Sequence, residues 1–184
     1  MKITQLRALA EPNYWSAAHT KLIICKLDPE NVSLYTKENV RLLKQNFKRR
    51  LPVIHAISYF CDDDNLQNSE CCGTKAVVNY MEAIATGLLM LAGMDGGYST
   101  NRALPEKNRY ELVFSYTNEN AGRYAAHAAV DITEALLWGE NFDLDQHVKQ
   151  LRLLANGGTE NADLDTAGVR KTGVHSLNFS DALV

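Results

Sequence analysis

An α+β domain, with one small sheet and helices packed mainly on one of its faces, is the fold class this sequence predicts. Three observations predict it. "KLIICKLD" and "YELVFSY" are compact β-rich runs of strand length. "NENAGRYAAHAAVDITEALLWG" and the stretch from Lys75 to Ala92 are long, apolar-faced and helical in period. The intervals between them lack the regular crossover spacing of repeated βαβ units, so a doubly wound parallel sheet is not expected.

The elements follow in order. "KITQLRAL" alternates weakly and reads as a first strand, followed by a turn at "EPNYWS", where Pro12 and Asn13 break the chain. Tyr14 and Trp15 read as a packing corner. Lys21 to Asp28 is a buried strand, with Cys25 as a small hydrophobe inside it. In "TKENVRLLKQNFKRRL", Val40, Leu43, Phe47 and Leu51 recur at helical spacing, with Thr36 as N-cap and Pro52 as the stop. Its other face carries Lys37, Arg41, Lys44, Lys48, Arg49 and Arg50, which reads as a solvated basic surface. A helix from about Lys75 to Ala92 stops near Gly93, and the glycine-rich turn "MDGGYST" leads into a short extended piece. In the half-buried strand "YELVFSY", Tyr110, Leu112, Phe114 and Tyr116 take one face, and Glu111, Val113 and Ser115 the other. The alanine-rich helix after it closes at Gly139, and a last amphipathic helix starts at Asp143. The domain is expected to cover residues 1–155, with 156–184 a polar linker and tail.

Composition narrows the function. The chain has 184 residues, enough for one domain with a real core, and a net charge of −3. That balance gives no reason to expect nucleic-acid binding. No run reaches the length of a membrane span, and the N-terminus lacks the apolar centre of a signal peptide, so the cytoplasm is the expected compartment. Cys61, Cys71 and Cys72 flank the acidic loop "CDDDNLQNSECCG". A disulfide from Cys61 to one of the adjacent pair is geometrically possible, but free thiols are expected in that compartment. No C-x-x-C completes a zinc site. The loop's three aspartates lack the ligand spacing and glycine of an EF-hand, and the glycines of "MDGGYST" do not fit a phosphate-binding G-x-G-x-x-G.

One carboxylate stands out. Glu82 lies in "VNYMEAIATG", among apolar residues of a predicted helix. A carboxylate carried toward a core must be paired, metal-bound or put to use. The plain reading is a partly exposed residue, or a pair with Arg102, Arg123 or Lys75. The sharper one is a metal site assembled from Glu82 with His55 or His127. His127 sits in "YAAHAAV" and reads as a packed histidine.

Several segments, in order, resemble the N-terminal domain of cyanophycin synthetases. "EPNYWS" is similar to their G-P-N-Y-W-S, and "KLIICKLD" to K-L-I-V-x-x-L-D. "LAGMDGGYSTNR" is similar to L-A-G-M-x-x-G-F-G-R-T-R, and "YELVFSYTNENAGRYAAHAAV" to Y-x-V-V-F-x-Y-x-E-E-x-x-G-R-Y-A-A-x-A-A-V. "FDLDQHVKQLRLL" resembles Y-D-L-x-x-x-I-x-x-L-R-x-L. The resemblance covers residues 1 to about 155. It implies a domain of enzymes that use ATP to build a polymer with an aspartate backbone and arginine side chains, through an ATP-grasp and a Mur-ligase-like domain. Neither of those is expected here, since the likeness stops where the ATP-grasp part begins and no G-x-x-x-x-G-K-[ST] is present.

In that family the N-terminal domain is a scaffold and a holding site for the polymer. In some members it is also a metal-dependent hydrolase that cuts the polymer into primers on an H-x-x-E-H helix. Two histidines at i and i+4 hold zinc there, and the glutamate activates the metal-bound water. Set on "LAGM", the motif glutamate falls on Glu82, the histidines on Asn79 and Ala83, and a later acidic position on Gly87. Alanine cannot ligate, and asparagine is a poor zinc ligand beside imidazole. The resemblance therefore implies a non-catalytic polymer-binding or assembly module with no cofactor and no metal, Glu82 being the remnant of a site. The alternative is a hydrolase with a rearranged metal site. Arg102 and Arg123 keep family positions and read either as contacts to polymer carboxylates or as an internal ion pair tying the turn after Gly93 to the long helix. The implied partners are cyanophycin or a full-length cyanophycin synthetase, with no nucleic acid and no membrane. A homo-oligomer stays open.

Overall fold

The computed structural model describes residues 1–9, 21–58, 73–106 and 108–157. Tyr14, Trp15, the acidic loop with Cys61, Cys71 and Cys72, and the tail beyond residue 157 lie outside them. Within them, four strands form one sheet: β1 (Lys2–Leu9), β2 (Leu22–Asp28), β3 (Ser99–Ala103) and β4 (Tyr110–Ser115), in the order β1-β2-β4-β3 and antiparallel throughout. Five helices accompany it: α1 (Lys37–Arg50), α2 (Pro52–Ile57), α3 (Thr74–Leu91), α4 (Glu119–Trp138) and α5 (Leu144–Ala155). The expected α+β class, with one small sheet, is the class observed. Among the described residues no helix is long and apolar enough to cross a membrane.

The sheet is sorted by its pleat. Residues paired across strands share a face, so Ile23, Cys25 and Leu27 of β2 line up with Phe114, Leu112 and Tyr110 of β4. All but the half-buried Tyr110 are buried. Helices α3 and α4 cover this inner face, α4 over β1 and β2, and α3 over β3 and β4. At Gly122 a Cβ would come within 2.8 Å of the Ile23 side chain, so a bare backbone lets α4 settle directly on β2. Burial pushes the Cys25 thiol up to about 12, which removes it from thiolate chemistry.

The caps expected at Thr36 and Asp143 are observed, and Asn118 caps α4 in the same way. Thr36, Asn118 and Asp143 each accept from a backbone N–H three residues on, at 3.2, 3.1 and 3.0 Å. Pro52 both ends α1 and starts α2, because its missing N–H costs nothing at a first helical position. Strand β4 departs from a half-buried strand. Glu111, Val113 and Ser115 are buried as well, so the second face of β4 is covered too at these positions.

Two contacts fix the smaller helices. Gly87 lets α2 close on α3: a Cβ there would lie 2.6 and 2.9 Å from the branched γ carbons of Ile54. Helix α5 is held by Arg152, whose Nη2 donates to the Leu91 carbonyl at 2.9 Å, and by Tyr124 Oη, 2.9 Å from His147 Nδ1.

A glycine-to-alanine change inside an open helix normally stabilises by about 1 kcal/mol. Gly87→Ala is expected to do the reverse, because Ile54 is stiff at χ1 and overpacking costs about 1–3 kcal/mol. A lowered thermal midpoint, partly restored by Ile54→Val, is the expected result. His147 supplies a pH test. Desolvation holds its pKa below 6.5 against the opposing pull of Asp131 and Asp143. The unfolded chain therefore takes up this proton first, and stability is lost as pH falls through about 6.5. Urea midpoints at about pH 7.5 and about pH 5.5 should differ less in His147→Asn than in the unaltered chain.

Candidate functional site

The site is built where α3 meets the edge strand β3. Asn79, Glu82 and Thr86 follow one another along α3 at helical spacing, and all three are half-buried. Asn101, on the inner face of β3, reaches them. Its Nδ2 donates to Asn79 Oδ1 at 2.9 Å and to Glu82 Oε2. Both protons of that amide nitrogen are thereby directed at α3. Thr86 Oγ1 donates back to the Glu82 carbonyl at 2.9 Å, which leaves that turn of helix satisfied. Glu82 was expected to be partly exposed or to pair with Arg102, Arg123 or Lys75, and it is half-buried. An amide holds its carboxylate instead.

The remaining positions of the H-x-x-E-H likeness point elsewhere. Ala83 is 2% exposed and part of the core, and the space beside Gly87 belongs to Ile54. One carboxylate, one amide, one methyl group and one bare backbone do not fit the donor set of a zinc site. His55 packs edge-on against Phe47, ring centroids 6.0 Å apart. His127 is exposed on α4, and among its neighbours is Asp131, whose carboxyl desolvation and Glu134 hold above its ordinary value. Among the described residues no three His, Cys, Asp or Glu side chains come together as a metal-binding group.

Arg102 and Arg123 are not brought to one place. Arg102 follows Asn101 on β3 and so points to the opposite, outer face. Its Nη2 lies 2.8 Å and its Nε 3.0 Å from Oε1 of Glu111, whose side chain is 7% exposed. Arg123 lies at the other edge of the sheet, where its Nη2 is 2.8 Å from Glu119 Oε1 and its Nη1 donates to the Leu6 carbonyl at 3.4 Å. These ion pairs run within the sheet and within α4, rather than from the turn to the helix. Asn101 had no signal of its own in the hydrophobic pattern. Its one sequence clue was its place beside Arg102, where the resembling segments carry threonine.

Arg102→Met is expected to destabilise the fold by about 1–3 kcal/mol, because it leaves the buried Glu111 charge without its charge-assisted bonds. Removing both partners in Arg102→Met/Glu111→Met should recover most of that loss. Urea denaturation of the single and double variants measures the difference, and equal losses would place the stabilisation elsewhere.

Comparison with known proteins shows the family of this chain. A family model described as the cyanophycin synthase-like N-terminal domain matches residues 25–138. The cyanophycin synthetase of Synechocystis sp. is 29% identical over 164 residues, covering 88% of this chain and 19% of that protein. The cyanophycin synthetase of Geminocystis herdmanii is 30% identical over 158 residues, covering 82% of this chain and 17% of that protein. That of Trichormus variabilis is 30% identical over 157 residues, covering 83% and 17%. The chain thus spans less than a fifth of the length of these relatives. With all of α3, β3, β4 and α4 and the second half of β2 inside the matched span, the chain belongs to the cyanophycin synthase-like N-terminal domain family.

Proposed function

We propose that this chain is a non-catalytic binding or assembly module of cyanophycin metabolism, with the polymer or a full-length cyanophycin synthetase as its partner. The carrying observation is the state of α3. The glutamate of the H-x-x-E-H likeness is present as Glu82, but its carboxylate accepts from Asn101, and the two histidine positions hold Asn79 and the buried Ala83. A carboxylate engaged by an amide, with no imidazole beside it among the described residues, lacks the donor set that would hold a metal-bound water. What α3 keeps is its packing against β3 and α4.

Polymer contacts are assigned to Arg102 and Arg123, which present guanidinium groups able to meet carboxylates in bidentate fashion. Their side chains are 46% and 34% exposed. Since they stand at opposite edges of the sheet, they act as two separate contacts on an extended ligand.

The test uses purified chain and isolated cyanophycin. Sedimentation with the insoluble polymer should show binding, weakened severalfold in Arg123→Ala. Incubation with polymer should release no soluble fragments with or without added zinc. Metal-dependent cleavage that disappears in Glu82→Gln would overturn the reading in favour of a hydrolase with a rearranged site. Absence of binding to both polymer and synthetase would remove the module reading altogether.

A further inference from the structure

The two edge strands of the sheet are finished differently. Backbone hydrogen bonds alternate in direction along an antiparallel strand. Ser115 N donates to the Tyr98 carbonyl and Leu104 N to the Arg109 carbonyl, both at 2.8 Å. Tyr98, Thr100, Arg102 and Leu104 therefore turn their backbone groups toward β4. Ser99, Asn101 and Ala103 turn theirs toward the outer edge of β3. Among the described residues nothing takes up these three N–H and three C=O groups. Strand β3 keeps a regular register, and Ser99 and Asn101 are half-buried while Ala103 is exposed. The β1 edge is guarded instead. Its register shifts between Ile3 and Gln5, and Arg123 Nη1 occupies the Leu6 carbonyl. Bulges and covering charges are devices that keep an edge from pairing.

Beside the β3 edge stands a carboxylate that is only half engaged. Glu82 Oε2 accepts from Asn101, but Oε1 has no partner among the described residues, and neither has Asn101 Oδ1. A second copy paired on this edge about Asn101 would set two such carboxylates against each other at the two-fold axis, which disfavours self-pairing.

We propose that the outer edge of β3 takes an extended segment of a partner protein as a fifth strand, with a lysine or arginine of that segment directed to Glu82. Paired residues share a face. The residue opposite Asn101 therefore stands on the inner side, one strand spacing of about 4.8 Å away, beside both open acceptors. Main-chain bonds to Ser99, Asn101 and Ala103 supply affinity, and the inward basic side chain supplies selection. Neighbouring residues of the segment fall on the outer face beside Thr100 and Arg102, where a second cation is repelled. The arginine/aspartate polymer would set arginines on both faces, so the edge suits a protein segment with one inward cation better. This docking does not depend on the polymer being a ligand of the chain.

The experiment titrates a fluorescein-labelled heptapeptide of threonine and valine, with a central arginine, with the whole chain and follows anisotropy. Saturable binding is expected. Glutamine in place of the peptide's arginine should weaken it about tenfold, as one charge-assisted bond is lost. Methylating alternate amide nitrogens of the peptide, on the side that pairs, should abolish it. Ala103→Pro removes an edge donor without touching the β4 ladder, and should weaken binding at least as much as the glutamine exchange. Glu38→Gln, on the exposed face of α1, should leave it unchanged. Circular dichroism checks that both variants fold. Amide shifts of the unaltered chain locate the contact independently of any variant, with the largest expected from Ser99 to Ala103. No saturable binding, equal binding of the methylated peptide, shifts confined to other elements, or displacement of the peptide by soluble polymer fragments would each overturn the proposal. So would a dimer in sedimentation velocity that Ala103→Pro dissociates, which would give the edge to a second copy.

Discussion

The close seating of two helices on one side of a four-stranded sheet is the constraint from which the rest of the molecule follows. The inner face contributes Ile23, Cys25, Leu27, Leu112 and Phe114, and none of these is more than 1% exposed. Burying that surface is the main favourable term available to a chain of this size. It requires α3 and α4 to approach each other and the strands closely, which explains their composition. Helix α4 presents Ala121, Ala125, Ala128 and Ala129 inward, with Gly122 at the point nearest β2. Helix α3 presents Ala76, Ala83, Ala85 and Gly87. Larger residues at these positions would hold the layers apart, and α1, α2 and α5 would lose the surface on which they rest.

The same constraint accounts for the state of the α3 site. Two of the four positions that correspond to chemistry in the family likeness, Ala83 and Gly87, now serve packing against the core and against Ile54. The two that remain polar, Asn79 and Glu82, face β3 and are tied to it through Asn101. Helix α3 thereby presents a hydrogen-bonded brace between two layers. The proposed binding role fits this division, because it asks only that the scaffold and its exposed guanidinium groups persist.

Much of this architecture was legible from residue pattern. The strands around Cys25 and Phe114, the helix stops at Gly93 and Gly139, and the caps at Thr36 and Asp143 all carry local signals that tertiary contacts did not override. What pattern could not supply was partnership across the sheet. Nothing local to Glu111 shows that it is buried under Arg102, since that pairing exists only once β3 and β4 are in register. Nor does anything local to Glu82 announce Asn101, nineteen residues away on another element. Pro52 was read as a stop, yet the same ring geometry that ends one helix begins the next.

Asn101 and Arg102 are neighbours in sequence and face opposite ways. One is anchored to α3 on the inner face, and the other to the buried carboxylate of Glu111 on the outer face. A slip of β3 by a single residue would exchange them, driving a guanidinium toward the helices and stranding Glu111. The two anchors therefore act as a keyed lock on strand alignment, where a purely apolar edge strand would tolerate sliding. Insertions or deletions in the turn between β3 and β4 are accommodated only when they leave that alternation intact. Length variation among related chains at this turn should consequently come in changes of two residues, or as excursions that loop out and rejoin in phase.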